Sequence, residues 1–136
     1  MINFEGKVTS GLGKAGNFMQ KDTYKKQYKN KLGFEPYPGT LNIKLNKDIE
    51  INLKEEYNNE LKIIEGDENL GDVYFLKARI SDLKKISSKK GAILFPTKTV
   101  HKFNTIEFIA DEKLRDTMEL KDNSKVNITI NENYEK

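Results

Sequence analysis

The sequence predicts a mainly antiparallel β-barrel of six or more short strands, with only two short helices. Three features lead there. Stretches such as Leu41-Asn42-Ile43-Lys44-Leu45 and Val126-Asn127-Ile128-Thr129-Ile130 alternate apolar and polar residues with the period of two that half-buries a strand. Glycine and short polar residues gather between such stretches, as in Gly66-Asp67-Glu68-Asn69-Leu70-Gly71-Asp72. Helix signals occur at just two places. Closing the strands on one another would also remove the exposed edges of an open sheet. A chain of 136 residues is expected to hold this as a single domain spanning residues 1–136.

The elements follow in order. Residues 3–9 form a first strand that ends at Ser10-Gly11-Leu12-Gly13-Lys14-Ala15-Gly16. Tyr24, Tyr28 and Leu32 lie at helical spacing, and Gly33 suits the position just past the end of that helix. Pro36, Pro38 and Gly39 stiffen a turn into the strand of Leu41, Ile43 and Leu45. Ile49, Ile51 and Leu53 alternate again, Leu61–Ile64 is a brief apolar run, and Val73–Ile80 is the longest strand candidate. Lysine-rich Leu83–Lys90 reads as a solvated face, and Gly91–Pro96 as a compact apolar strand stopped by proline. A polar loop over Thr97–Thr105 leads to a strand at Ile106–Ala110. Asp111–Met118 is expected to be a short helix with Asp111 as its N-cap. A turn at Lys121–Ser124 precedes the last strand.

Composition narrows the chemistry. With no cysteine and one histidine, disulfides, thiolate catalysis and cysteine-based metal sites are excluded, so any metal must be held by oxygens. Lys and Arg number 24 against 21 Asp and Glu, a net charge of +3, which is a nearly balanced surface and not the basic stripe of a nucleic-acid binder. No apolar run approaches the roughly 20 residues of a bilayer span, and residues 1–5 lack signal-peptide character. A soluble, cytoplasmic protein is expected.

Several residues stand out against this background. Thr40, Asn42 and Lys44 share the face opposite Leu41, Ile43 and Leu45, so two small oxygen-bearing side chains emerge side by side from a stiff turn. Gly11, Gly13 and Gly16 match the spacing G-x-G-x-x-G, but no repeating βαβ pattern follows, so a Rossmann site is not expected; the segment is either a hairpin loop or a backbone cradle for phosphate, with Lys14 adding charge. Glu107 falls inside a strand, either as an outward charge or as a carboxylate aimed into a site. His101 reads as a loop histidine without catalytic work, and the tyrosines of the first helix as its core face.

Taken together, Gly6-Lys7-Val8 with Ser10-Gly11-Leu12-Gly13, Leu32-Gly33-Phe34 with Pro36-Tyr37-Pro38-Gly39-Thr40-Leu41-Asn42, Gly91-Ala92-Ile93-Leu94-Phe95-Pro96-Thr97, and Leu114-Arg115 resemble the archaeal CTP-dependent riboflavin kinases, in the compact methanogen form without a winged-helix domain. The resemblance runs from about residue 4 to 130. It implies a six-stranded cradle-loop β-barrel that moves the terminal phosphoryl group of CTP to the 5′-hydroxyl of riboflavin, giving FMN and CDP. It also implies Mg²⁺ on Thr40 and Asn42, and a nucleotide site of Gly11, Leu12, Gly13, Lys14, Ala15 and Gly16 with Glu112, Lys113, Leu114 and Arg115. Thr99 and Glu107 match flavin-binding positions, and Glu107 is the candidate base. The substrates CTP and riboflavin would then be the only partners of a monomer, with no nucleic acid or membrane. Related small barrels include DNA-binding factors, and another nucleotide-dependent kinase on the same scaffold is the remaining alternative.

Overall fold

The computed structural model describes residues 2–10, 22–52, 62–66, 72–83, 87–95 and 100–130. Its elements are β1 (Ile2–Thr9), α1 (Asp22–Leu32), β2 (Leu41–Asn52), β3 (Lys62–Ile64), β4 (Val73–Asp82), β5 (Ser88–Phe95), β6 (Val100–Ile109), α2 (Leu114–Thr117) and β7 (Lys125–Ile130). The strands run β3-β4-β5-β6-β2-β1-β7, and β7 also pairs with β4, which closes six of them into an antiparallel barrel. Strand β4 uses one edge twice to achieve this: Val73–Phe75 pair with β3 and Ala78–Asp82 with β7.

Alternation decides what each face buries. Leu41, Ile43 and Leu45 of β2 point inward with Phe4 and Val8, Ile106 and Phe108, and Val126, Ile128 and Ile130, forming the barrel core. A second cluster lies outside the wall, where Tyr24, Tyr28 and Leu32 of α1 cover Ile64, Phe75, Ala92, Leu94 and Ile109. The tyrosines are thus the core face of the helix, as their spacing predicts. Strand β5 is apolar on both faces because Ile93 and Phe95 enter the barrel while Ala92 and Leu94 meet α1. Gln27 straps the helix down, donating to the Glu65 carbonyl at 2.8 Å and accepting from the Glu65 N–H at 2.7 Å.

Two glycines are required by geometry. Gly33 has φ of 86° and its N–H bonds the Lys29 carbonyl at 3.1 Å, which ends α1 in the left-handed cap expected of it. At Gly91 a Cβ would lie 2.0 Å from the Ile109 carbonyl oxygen and 2.5 Å from the Phe108 ring, so β5 and β6 approach closely only because no side chain intervenes.

Five sequence expectations change. Ser88–Lys90 belong to β5 and Val100–Thr105 to β6, where strand conformation comes from backbone pairing to β4 and β2. The two alternating stretches at Leu41 and Ile49 are one strand, β2, with an irregularity between Lys44 and Ile49; at 12 residues it exceeds the 10 of β4. Residue Lys113, not Asp111, occupies the N-cap of the four-residue helix α2 and makes no side-chain cap bond.

Candidate active site

The stiff turn before β2 is anchored to the end of β6. The Tyr37 N–H donates to the Ala110 carbonyl at 2.8 Å, and the Gly39 N–H returns to the Tyr37 carbonyl at 2.8 Å. Pro36 is buried beneath it. This places Thr40 at the start of a ladder in which Leu41 opposes Phe108 and Asn42 opposes Glu107. The inward members of that ladder are core residues, so the outward ones, Asn42 and Glu107, stand together on the barrel's outer face. The Thr40 hydroxyl closes the group by donating to Glu107 Oε1 at 3.0 Å. Glu107 is therefore both an outward residue of an alternating strand and a partly buried carboxylate with a specific partner.

On the α1 side the Tyr28 phenol is pushed far above its ordinary value of 10.0, first by burial, then by Tyr24 and by the negative charge of Glu107. It stays protonated at any physiological pH.

A cleft of about 280 Å³ opens between the Tyr37–Leu41 turn, Phe108 and Ala110 at the end of β6, and Glu112–Arg115. The fold thus brings the turn that carries Thr40 against the segment holding Glu112, Lys113, Leu114 and Arg115. Their contributions differ. Leu114 is buried in the barrel core and offers an apolar wall. The Glu112 carboxylate lies 2.8 Å from Lys89 Nζ, a contact that holds it below the usual carboxylate range, and Asp111 reaches the same ammonium at 3.3 Å. Lys113 is exposed at the cleft rim. Arg115 Nη2 lies 2.7 Å from Asp122 Oδ1 and donates to the Thr9 carbonyl at 3.3 Å.

Lys89 and Asp122 were not singled out by sequence reasoning. They sit in a lysine-rich segment and a turn with no local pattern to mark them, and Asp122 accepts from Ser10, 112 positions away. Gly11, Leu12, Gly13, Lys14, Ala15, Gly16 and Thr99 lie outside the described residues, as does the side chain of His101. Among the described residues no group of three or more His, Cys, Asp or Glu side chains gathers to hold a metal, so a cation here would depend on neutral oxygens such as those of Thr40 and Asn42.

A family model with the short name CTP-dep_RFKase, described as "Domain of unknown function DUF120", matches residues 8–130. The chain belongs to the CTP-dependent riboflavin kinase family. The span that matches the family model contains Thr40, Asn42, Glu107 and the whole Glu112–Arg115 segment. The chain is 56% identical over 130 residues to a riboflavin kinase of Methanosphaera stadtmanae, covering 96% of this chain and 98% of that protein. It is 41% identical over 127 residues to a riboflavin kinase of Methanobrevibacter smithii, at 93% and 98% coverage. A riboflavin kinase of Archaeoglobus fulgidus shares 36% identity over 134 residues, which is 95% of this chain but 54% of that longer protein. The barrel is thus the part that this family member shares with both the short and the long relatives.

Proposed function

We propose that the chain transfers the terminal phosphoryl group of CTP to the 5′-hydroxyl of riboflavin, giving FMN and CDP. Membership of the CTP-dependent riboflavin kinase family supports the reaction. The observation that carries the site is the Thr40–Glu107 hydrogen bond beside Asn42.

The donor set fits Mg²⁺. Because the Thr40 proton is committed to Glu107 Oε1, the lone pairs of the hydroxyl oxygen are left for a cation, and the Asn42 amide oxygen comes from the same strand face. Thr40 and Asn42 would hold the ion, which when bound neutralises phosphate oxygens of the nucleotide. With no carboxylate in that first set, phosphate must supply the remaining charge, so metal and nucleotide bind together.

Glu107 has a second oxygen for the acceptor. With Oε1 engaged by Thr40, Oε2 orients the riboflavin hydroxyl and takes its proton as the new O–P bond forms and the bridge to the leaving CDP oxygen breaks. Lys113 and Arg115 contribute positive charge to the nucleotide cleft together with Glu112 and the Leu114 wall; by the family resemblance, Gly11–Gly16 are assigned to the nucleotide and Thr99, with Glu107, to the flavin. The same reading makes the chain a cytoplasmic monomer that acts on small molecules, without nucleic acid or membrane. The near balance of 24 basic and 21 acidic residues supports the part of it that leaves out nucleic acid.

The test incubates the protein with riboflavin, Mg²⁺ and either CTP or ATP, then separates riboflavin from FMN by chromatography. FMN formed with CTP is expected. Turnover with ATP alone would reassign the nucleotide, and failure with both, alongside tight DNA binding, would overturn the enzyme reading.

A further inference from the structure

We infer that Asp122 is a positioning residue for nucleotide binding, presenting the Arg115 guanidinium to the cleft and tying it to the end of β1. This rests on the nucleotide reading of the cleft given above. One carboxylate joins three stretches of chain. Asp122 Oδ1 lies 2.7 Å from Arg115 Nη2, while Ser10 Oγ donates to Oδ1 at 3.1 Å and to Oδ2 at 3.0 Å. Arg115 Nη2 also donates to the Thr9 carbonyl at 3.3 Å, so the arginine is held against the same end of β1 that Ser10 extends.

The backbone beneath Asp122 is fixed without its side chain. Val8 N–H donates to the Ser124 carbonyl at 2.8 Å, Asn123 N–H to the Val8 carbonyl at 2.7 Å, and Lys121 N–H to Ser124 Oγ at 2.9 Å. The carboxylate therefore projects from a turn that is already docked, and removing it should leave the turn in place. Its pKa is lowered first by Arg115 and then by Ser10, which keeps it ionised at neutral pH.

The consequence for Arg115 is orientation. Nη2 is spent on Asp122 and Thr9, and among the described residues neither Nη1 nor Nε makes a described bond, so one end of the fork is fixed and the other donors serve the cleft that Arg115 lines. Without Asp122 the guanidinium samples other rotamers and presents that fork only part of the time. An exposed ion pair of this kind adds little to stability, with 32% and 54% of the two side chains exposed. A role confined to stability and a role in positioning therefore predict different measurements.

The experiment uses the full chain and measures steady-state kinetics with CTP and riboflavin varied in turn, CDP binding by calorimetry, and Tm. For Asp122→Ala the inference expects the CTP KM and the CDP Kd to rise about tenfold, the scale of one weakened charge-assisted contact, with the riboflavin KM and Tm unchanged. Asp122→Ala added to Arg115→Ala should cost nothing further, because the two act through one group. An unchanged CTP KM in Asp122→Ala beside a raised one in Arg115→Ala would overturn the inference, as would effects that add in the double variant. An unaltered CTP KM in Arg115→Ala removes the nucleotide reading of the cleft, and the inference falls with it.

Discussion

The Thr40 hydroxyl donates to Glu107 Oε1 across 3.0 Å, joining the residue that enters β2 to the outer face of β6. One proton therefore fixes two groups at once: it leaves the threonine oxygen's lone pairs and the carboxylate's Oε2 outside the bond, and the proposed function uses the first for a cation and the second for the acceptor.

Glu107→Gln separates these roles. The amide oxygen still accepts from Thr40, so the threonine stays oriented, but it takes no proton. We expect kcat to fall by about 10²- to 10⁴-fold with the CTP KM little changed. Near-normal turnover with intact substrate binding would exclude the base.

Replacing both Thr40 and Asn42 by alanine should abolish Mg²⁺-dependent activity while circular dichroism stays that of the native barrel, since both side chains lie outside the core. Thr40→Ser keeps the hydroxyl and should retain most activity. A double variant as active as the parent would rule out these two residues as the metal ligands.

Gly91→Ala and Gly33→Ala are expected to differ in cost. A Cβ at position 91 meets the Ile109 backbone oxygen at 2.0 Å, and a strand must move, so we expect a loss of about 3 kcal/mol or more in urea unfolding. At position 33 nothing lies within 4 Å, and the cost is only that of φ 86° for an alanine, about 1 to 2 kcal/mol. Equal losses at the two sites would mean that crowding between β5 and β6 is not what Gly91 relieves.

Alkaline pH should unfold the protein through Tyr28. Its folded pKa is raised above the ordinary 10.0, so the unfolded chain loses the phenolic proton first; the stabilisation is fully present below pH 10 and is lost as pH rises beyond it. Tm measured from pH 9 upward should fall, and Tyr28→Phe should flatten that fall. An unaltered alkaline limb in the variant would assign the loss to another group.

The strands whose apolar residues alternate were readable directly, because Leu41, Ile43 and Leu45, or Val126, Ile128 and Ile130, face one core. Gly33 was readable as well, since glycine adopts the left-handed cap conformation at least cost. Ser88–Lys90 and Val100–Thr105 were not, because their conformation comes from partners such as Ile80 opposite Lys89 and Glu50 opposite Lys102, and not from their own pattern. The N-cap expected of Asp111 lost to a tertiary partner: its carboxylate is engaged with Lys89 at 3.3 Å. Thr40 and Asn42 showed as an odd polar pair on a strand face, whereas the contact that gives Thr40 a partner joins positions 67 residues apart. Asp122 is further still from its partner, 112 positions from the serine it accepts from.

The double pairing of β7, with β1 on one side and β4 on the other, also orders assembly in time. Asn3 and Thr129 meet across 126 positions, so the ring closes only after almost the whole described chain has been made and has collapsed. The Ser10–Asp122 and Arg115–Thr9 contacts span 112 and 106 positions and depend on the same event. Chains halted before β7 would carry the Thr40 turn and the β2–β6 ladder but not the Ser10–Asp122 and Arg115–Thr9 contacts. On the proposed function, nucleotide binding would then report completed folding, and nucleotide present during synthesis would favour closed barrels over stalled ones.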